Sequence, residues 1–185
     1  DGERQDLYLG EKISVISLLQ MLLIKSSNDA AYALAAHGQK SDIRLVEKMN
    51  EKAFQLGMTG SLFFDPAGLE DDAYSTAGDL RKMIFFSFKN YKELWSITKI
   101  QNKVVTSADG KFRHELVSTN KLFDTVSGIE GGKTGYTDGA LGCMILITKV
   151  PNEDSEIISI VLGSTNRFGD TKALVDWIFT AYRWK

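Results

Sequence analysis

Gly131-Gly132-Lys133-Thr134-Gly135-Tyr136-Thr137 is the stretch around which the chain is organised. Shortly after it comes Cys143-Met144-Ile145-Leu146-Ile147-Thr148, an apolar run that predicts a buried strand. Glycines on both sides of Lys133-Thr134 let another backbone, or a ligand, approach closely. Lysine and threonine at adjacent strand positions point to opposite faces. A bulge or twist at the flanking glycines is therefore needed to bring both toward one groove. The bare triplet Lys-Thr-Gly is weak evidence, because by chance it is often a surface lysine in a glycine-rich hairpin. Its company along the chain decides the reading.

Downstream, a turn at Pro151-Asn152-Glu153-Asp154 leads to a second strand, Ile157 to Gly163, and a last helix runs from Asp170 to Tyr182. Two antiparallel strands therefore follow the glycine-lysine segment. Upstream lies a predicted hairpin, Ile97 to Thr106 and Phe112 to Val117, turning at Ala108-Asp109-Gly110. Before it come helices. A short strand within Leu7 to Val15 leads into Ile16 to Ile24, which is apolar nearly all round and so buried. Asp29 to Ala36 follows, ended by Gly38. Ser41 caps Asp42 to Leu56, with apolar Ile43, Val46, Met49, Ala53 and Leu56. Ser75-Thr76 caps Ala77 to Phe88, with Asp79 in its first turn. Phe63-Phe64-Asp65-Pro66-Ala67-Gly68-Leu69 reads as an ordered loop. Helices come first and strands last, without a repeat or a low-complexity linker. That order predicts an α/β chain of the α+β kind, helices packed on an antiparallel sheet.

The 185 residues suit one domain, and 43% hydrophobic against 25% charged residues is enough to bury a sizeable core. A net charge of -2 gives no electrostatic case for nucleic acid, and no lysine or arginine block points to an anionic membrane. The longest apolar stretch, Ile13 to Ile24, is broken by Ser14, Ser17 and Gln20, so it reads as a core helix rather than a membrane span. The opening at Asp1 without a methionine reads as a processed or trimmed product. The single cysteine, Cys143, has no partner for an internal disulfide and reads as a small buried hydrophobe. His37 and His114 lack ligand spacing, so no metal site and no cofactor is expected.

Between the first two helices sits Ser26-Ser27-Asn28-Asp29. Helix capping accounts for one such residue, not for a polar cluster held at the centre of the fold. With Lys133-Thr134-Gly135 it makes the chain resemble the serine D-alanyl-D-alanine carboxypeptidases, the low-molecular-mass penicillin-binding proteins. The similar stretches are Leu22-Leu23-Ile24-Lys25-Ser26-Ser27-Asn28-Asp29-Ala30-Ala31, Met49-Asn50-Glu51-Lys52-Ala53, Leu56-Gly57-Met58, Phe64-Asp65-Pro66-Ala67-Gly68-Leu69, Tyr74-Ser75-Thr76-Ala77-Gly78-Asp79-Leu80 and Gly131 to Thr137. They occur in the family's order and cover almost the whole chain.

The resemblance implies a DD-peptidase/β-lactamase-like fold and three active-site motifs, Ser-x-x-Lys, Ser-x-Asn and Lys-Thr-Gly. Ser26-Ser27-Asn28 matches the second and Lys133-Thr134-Gly135 the third. The first, with the nucleophilic serine, belongs N-terminal to the second, yet none of the 25 residues before Ser26 forms it. Ser96-Ile97-Thr98-Lys99 and Ser118-Thr119-Asn120-Lys121 have the pattern but fall between the other two motifs, so both read as decoys. The expectation is one peptidase domain over residues 1–185, incomplete at the N-terminus and inactive alone, without the C-terminal β-domain or membrane anchor of many relatives.

By the same resemblance, Ser26 joins a proton relay to the leaving group, Asn28 holds the substrate amide and the lysine network, and Lys133 polarises that network. Thr134, Gly135 and Tyr136 bind substrate, Thr134 through the terminal carboxylate and Tyr136 through an oxyanion N–H. Arg167, ten positions before Trp177, is spaced as a family arginine that binds that carboxylate; the alternative is a loop arginine. The implied partners are peptidoglycan stem peptides ending in D-Ala-D-Ala and β-lactams, outside the cytoplasm of a bacterium. Two departures stand out. Gly132 replaces an apolar residue, which predicts a looser strand, and Ala67 replaces a histidine at the rim. A β-lactamase and a non-catalytic wall-peptide or protein-binding module are the alternatives. The Glu-x-x-Leu-Asn loop of class A β-lactamases is not found here.

Overall fold

The computed structural model describes residues 6–41, 43–151 and 153–182. Helix α1 (Val15–Gln20) runs into a π turn (Met21–Lys25), and α2 (Asn28–Gln39), α3 (Leu45–Gln55), α4 (Ala77–Asn90) and α5 (Lys92–Thr98) follow. Then come a hairpin, β1 (Asn102–Thr106) and β2 (Arg113–Val117), a three-stranded antiparallel sheet, β3 (Ile129–Thr137), β4 (Leu141–Lys149) and β5 (Glu156–Ser164), and α6 (Arg167–Ala181). This is the expected α+β order. Among the described residues no helix is long and apolar enough to cross a membrane.

The apolar run after the glycine-lysine segment is the central strand, β4. Its alternate residues serve two cores. Met144 and Leu146 pack with Leu122, Val126 and Val175 of α6, whereas Ile147 packs with Ile84 of α4 and Trp95 of α5. Burial on both faces explains why the run is continuous rather than alternating. A third core joins the helices to the hairpin through Leu18, Met21, Ile24, Ala30, Ile97, Val105 and Leu116.

Several boundaries differ from the sequence reading. No strand forms within Leu7 to Val15; the N–H groups of Asp6 and Leu7 are taken by the Asp29 carboxylate instead of a strand partner. Helix α2 passes through Gly38 to Gln39. Asp42 lies outside the described residues, and α3 begins at Leu45. Ile97 and Thr98 belong to α5 rather than to the hairpin, because Trp95, Ile97 and Thr98 are all buried on one short helix.

That short helix rests on Gly131. A Cβ built there would lie 2.8 Å from Trp95 Cε3, inside any normal contact. Gly132 is not loose either: its N–H donates to the buried Thr98 Oγ1 at 3.0 Å, and a Cβ would meet Ile145 O at 3.0 Å. The glycine pair exists so that α5 and β4 can close on β3. Gly131→Ala is therefore expected to destabilise the fold by about 1–3 kcal/mol, read as a lower urea midpoint. Gly135→Ala, whose Cβ would make ordinary contact at 3.6 Å with Cys143 Cβ, serves as the mild control.

Candidate active site

The four residues of the polar cluster separate by task. The π turn ends on Ser26, whose backbone is left-handed at φ 61°, ψ 43°. This is a strained state for a residue with a Cβ, and it turns the side chain toward β3. Ser27 is buried and caps α2, its Oγ accepting from the N–H of Ala30 at 3.3 Å. Asn28 opens α2 and faces the groove described below. Asp29 holds the incoming chain through the N–H groups of Asp6 and Leu7.

Strand β3 is an edge of its sheet. Gly132 sends its N–H away from β4 to Thr98, and the carbonyl of Thr134 also faces away, accepting from Lys133 Nζ at 2.7 Å. Backbone groups alternate sides along an antiparallel strand. The N–H groups of Thr134 and Tyr136 therefore lie on this free edge as well. Lys133 pairs through its backbone with β4, but its long side chain curls over the edge, and Nζ donates to Ser26 Oγ at 2.5 Å. The bulge lies between Ile129 and Gly131, ahead of the lysine. Side-chain length, together with that bulge, brings both lysine and threonine to one groove. Burial pushes the pKa of Lys133 down to about 8, because desolvation disfavours the charged form.

Opposite the β3 edge stands the Ala67-Gly68-Leu69 loop. It wraps a single carboxylate: buried Asp65 accepts from the N–H groups of Ala67, Gly68, Leu69 and Glu70 at 2.6–2.9 Å. Burial alone would raise the pKa of Asp65, but these four donors outweigh it and hold the carboxyl below its ordinary value. Ala67 does stand at the rim of the groove.

The resulting cavity, of about 520 Å³, is lined by Ser26, Asn28, Lys133, Thr134, Gly135, Tyr136 and Arg167 together. All seven residues named from the sequence meet there. Arg167 is no loop arginine. It is the first residue of α6, with its guanidinium carbon 5.6 Å from the Tyr136 ring centre and 4.8 Å from that of Phe168. Its Nε is buried and has no hydrogen-bond partner among the described residues.

Sequence reasoning missed Thr119, Lys25 and Cys143, which also line the cavity. Lys25 pairs with Asp6. Cys143 is only half-buried, its Sγ 3.8 Å from Ala140 O, so the reading as a buried hydrophobe is corrected. It sits where β4 is covered by the groove rather than by a helix. The two Ser-x-x-Lys strings read as decoys make other contacts. Ser96 Oγ donates to Glu93 O on the surface, Thr98 anchors Gly132, and Lys99 pairs with Glu130 at 2.8 Å. Ser118 Oγ accepts from the N–H of Asn120.

Residues 3–166 match the family described as D-alanyl-D-alanine carboxypeptidase. The chain is 34% identical to D-alanyl-D-alanine carboxypeptidase DacF of Bacillus subtilis over 98% of its own length and 46% of that protein. It thus spans about half the length of the curated relatives it matches. It superposes on penicillin-binding protein D2 of Listeria monocytogenes in its ampicillin-bound form with a TM-score of 0.74 and 34% identity, covering 88% of this chain and 66% of that one. For the DD-transpeptidase of Streptomyces K15 the TM-score is 0.81 at 29% identity, covering 94% of this chain and 71% of that one.

Proposed function

The chain belongs to the D-alanyl-D-alanine carboxypeptidase family, and on that premise we propose that it is the peptidase domain of a serine-type D-Ala-D-Ala carboxypeptidase. It acts on peptidoglycan stem peptides by acyl transfer and is acylated by β-lactams. Because peptidoglycan lies outside the cytoplasmic membrane, it works in the periplasm or at the cell surface. The observation that supports this reading most is the contact of Lys133 with Ser26, 107 positions apart, in a groove that also holds the other five residues.

The chemistry assigns a part to each group. An upstream Ser-x-x-Lys serine attacks the carbonyl of the penultimate D-alanine, the C–N bond breaks, and D-alanine leaves with a proton. Water then hydrolyses the ester. Ser26 Oγ accepts from Lys133 Nζ, so its own proton is free to pass to the leaving amine. A lysine whose pKa lies near 8 is well matched to refill it near neutral pH. Tyr136 N–H, on the free strand edge, stabilises the developing oxyanion. Asn28 holds the substrate amide. Thr134 and the guanidinium of Arg167 take the terminal carboxylate.

Intact-mass spectrometry after incubation with benzylpenicillin tests the reading. The full-length gene product should gain one whole antibiotic, since ring opening expels nothing, on a serine preceding residue 1. The 185-residue chain alone should gain none. An adduct on Ser96 or Ser118, or an unmodified full-length product, would refute it.

A further inference from the structure

Thr119 Oγ1 and Thr134 Oγ1 lie 2.6 Å apart, and both residues line the groove. Two hydroxyls at that distance share one proton between them, and either can be the donor. A carboxylate removes the choice. If Thr134 spent its proton on Thr119, only lone pairs would face the anion. With an anion bound, Thr119 must donate to Thr134, and Thr134 to the carboxylate. Hydrogen bonds in such a chain polarise and strengthen one another. We propose that Thr119 is a positioning residue that orients the Thr134 hydroxyl toward the terminal carboxylate of the substrate, an inference that rests on the peptidase reading above.

The loop is built to hold Thr119 in place without using its hydroxyl. Its N–H donates to Ile24 O at 3.2 Å, two residues before the strained Ser26. Ser118 N–H donates to Gln101 O at 2.8 Å, Asn120 N–H to Ser118 Oγ at 3.2 Å, and Leu122 N–H to Asn120 Oδ1 at 2.9 Å. Thr119 thus connects the element carrying Ser26 to the strand carrying Lys133. Its hydroxyl is left over for Thr134, which is itself buried. The contact costs the fold nothing to lose in shape, because valine is nearly isosteric and every backbone bond survives.

The test is Thr119→Val and Thr119→Ser in the full-length gene product, with KM and kcat for an acylated D-alanyl-D-alanine peptide and for its C-terminal amide. Valine should raise KM for the acid roughly 3- to 10-fold, the range of one neutral hydrogen bond. It should change the amide much less, and serine should restore the acid. Equal losses on acid and amide, or no recovery with serine, would overturn the role of Thr119 while leaving the peptidase reading intact. A wild-type protein that turns over neither substrate would overturn the peptidase reading and this inference with it.

Discussion

Lys133→Ala in the full-length gene product is expected to slow acylation by benzylpenicillin or a D-alanyl-D-alanine peptide about 10²–10³-fold, the cost of removing a preorganised electrostatic donor. The fold should survive. Lys133 is a half-buried cation whose desolvation depresses its pKa from 10.5 to about 8, so at neutral pH its charge weighs against the folded state. In the unfolded chain the amine keeps its proton up to 10.5, whereas the folded protein releases it from about 8. The unfolded state therefore binds more protons between those values, and stability rises with pH through that window, by roughly 3 kcal/mol in all. The alanine variant should lose this rise and be no less stable than the parent at pH 7. Stopped-flow acylation and urea unfolding from pH 7 to 10.5, with parent and variant side by side, measure both effects. Normal acylation in the variant would exclude Lys133 from the chemistry. A variant that unfolds would make the lysine structural.

Arg167→Ala should lower kcat/KM for a D-alanyl-D-alanine peptide roughly 10- to 100-fold, the equivalent of one charge-assisted hydrogen bond worth about 1.5–3 kcal/mol. The geometry strengthens this expectation. The guanidinium is near both the Tyr136 and Phe168 rings, and its buried Nε lacks a partner among the described residues. It is thus preorganised for an anion at little further cost in side-chain entropy. An amidated analogue should lose much less. Lysine at 167 should recover only part of the rate, because a point charge lacks the planar fork. Equal losses on acid and amide would mean that Arg167 holds the start of α6 rather than the substrate.

The sequence by itself determined that helices come first and strands last, which strand is central, and which seven residues line one groove. Local rules sufficed for these. The centre of β4, Met144 to Ile147, is apolar because it is covered on both faces. Ser27 and Thr76 cap their helices because short polar side chains satisfy the first free N–H groups. What the tertiary structure alone decided are the encounters between distant residues and the states that packing imposes. α5 is helical because Trp95 and Thr98 must be buried against β3 while Ile97 is buried in the core of the helices and the hairpin, and no periodicity within seven residues announces that. Gly131 and Gly132 are tight rather than loose because α5 and β4 converge on them. Lys133 reaches Ser26 only because β3 lies at the edge of its sheet and the π turn ends in a left-handed serine. Thr119 enters the groove only because the chain after β2 is tied back to Ile24. Each of these depends on a contact between segments far apart in sequence, and such contacts become visible only once the chain has closed on itself.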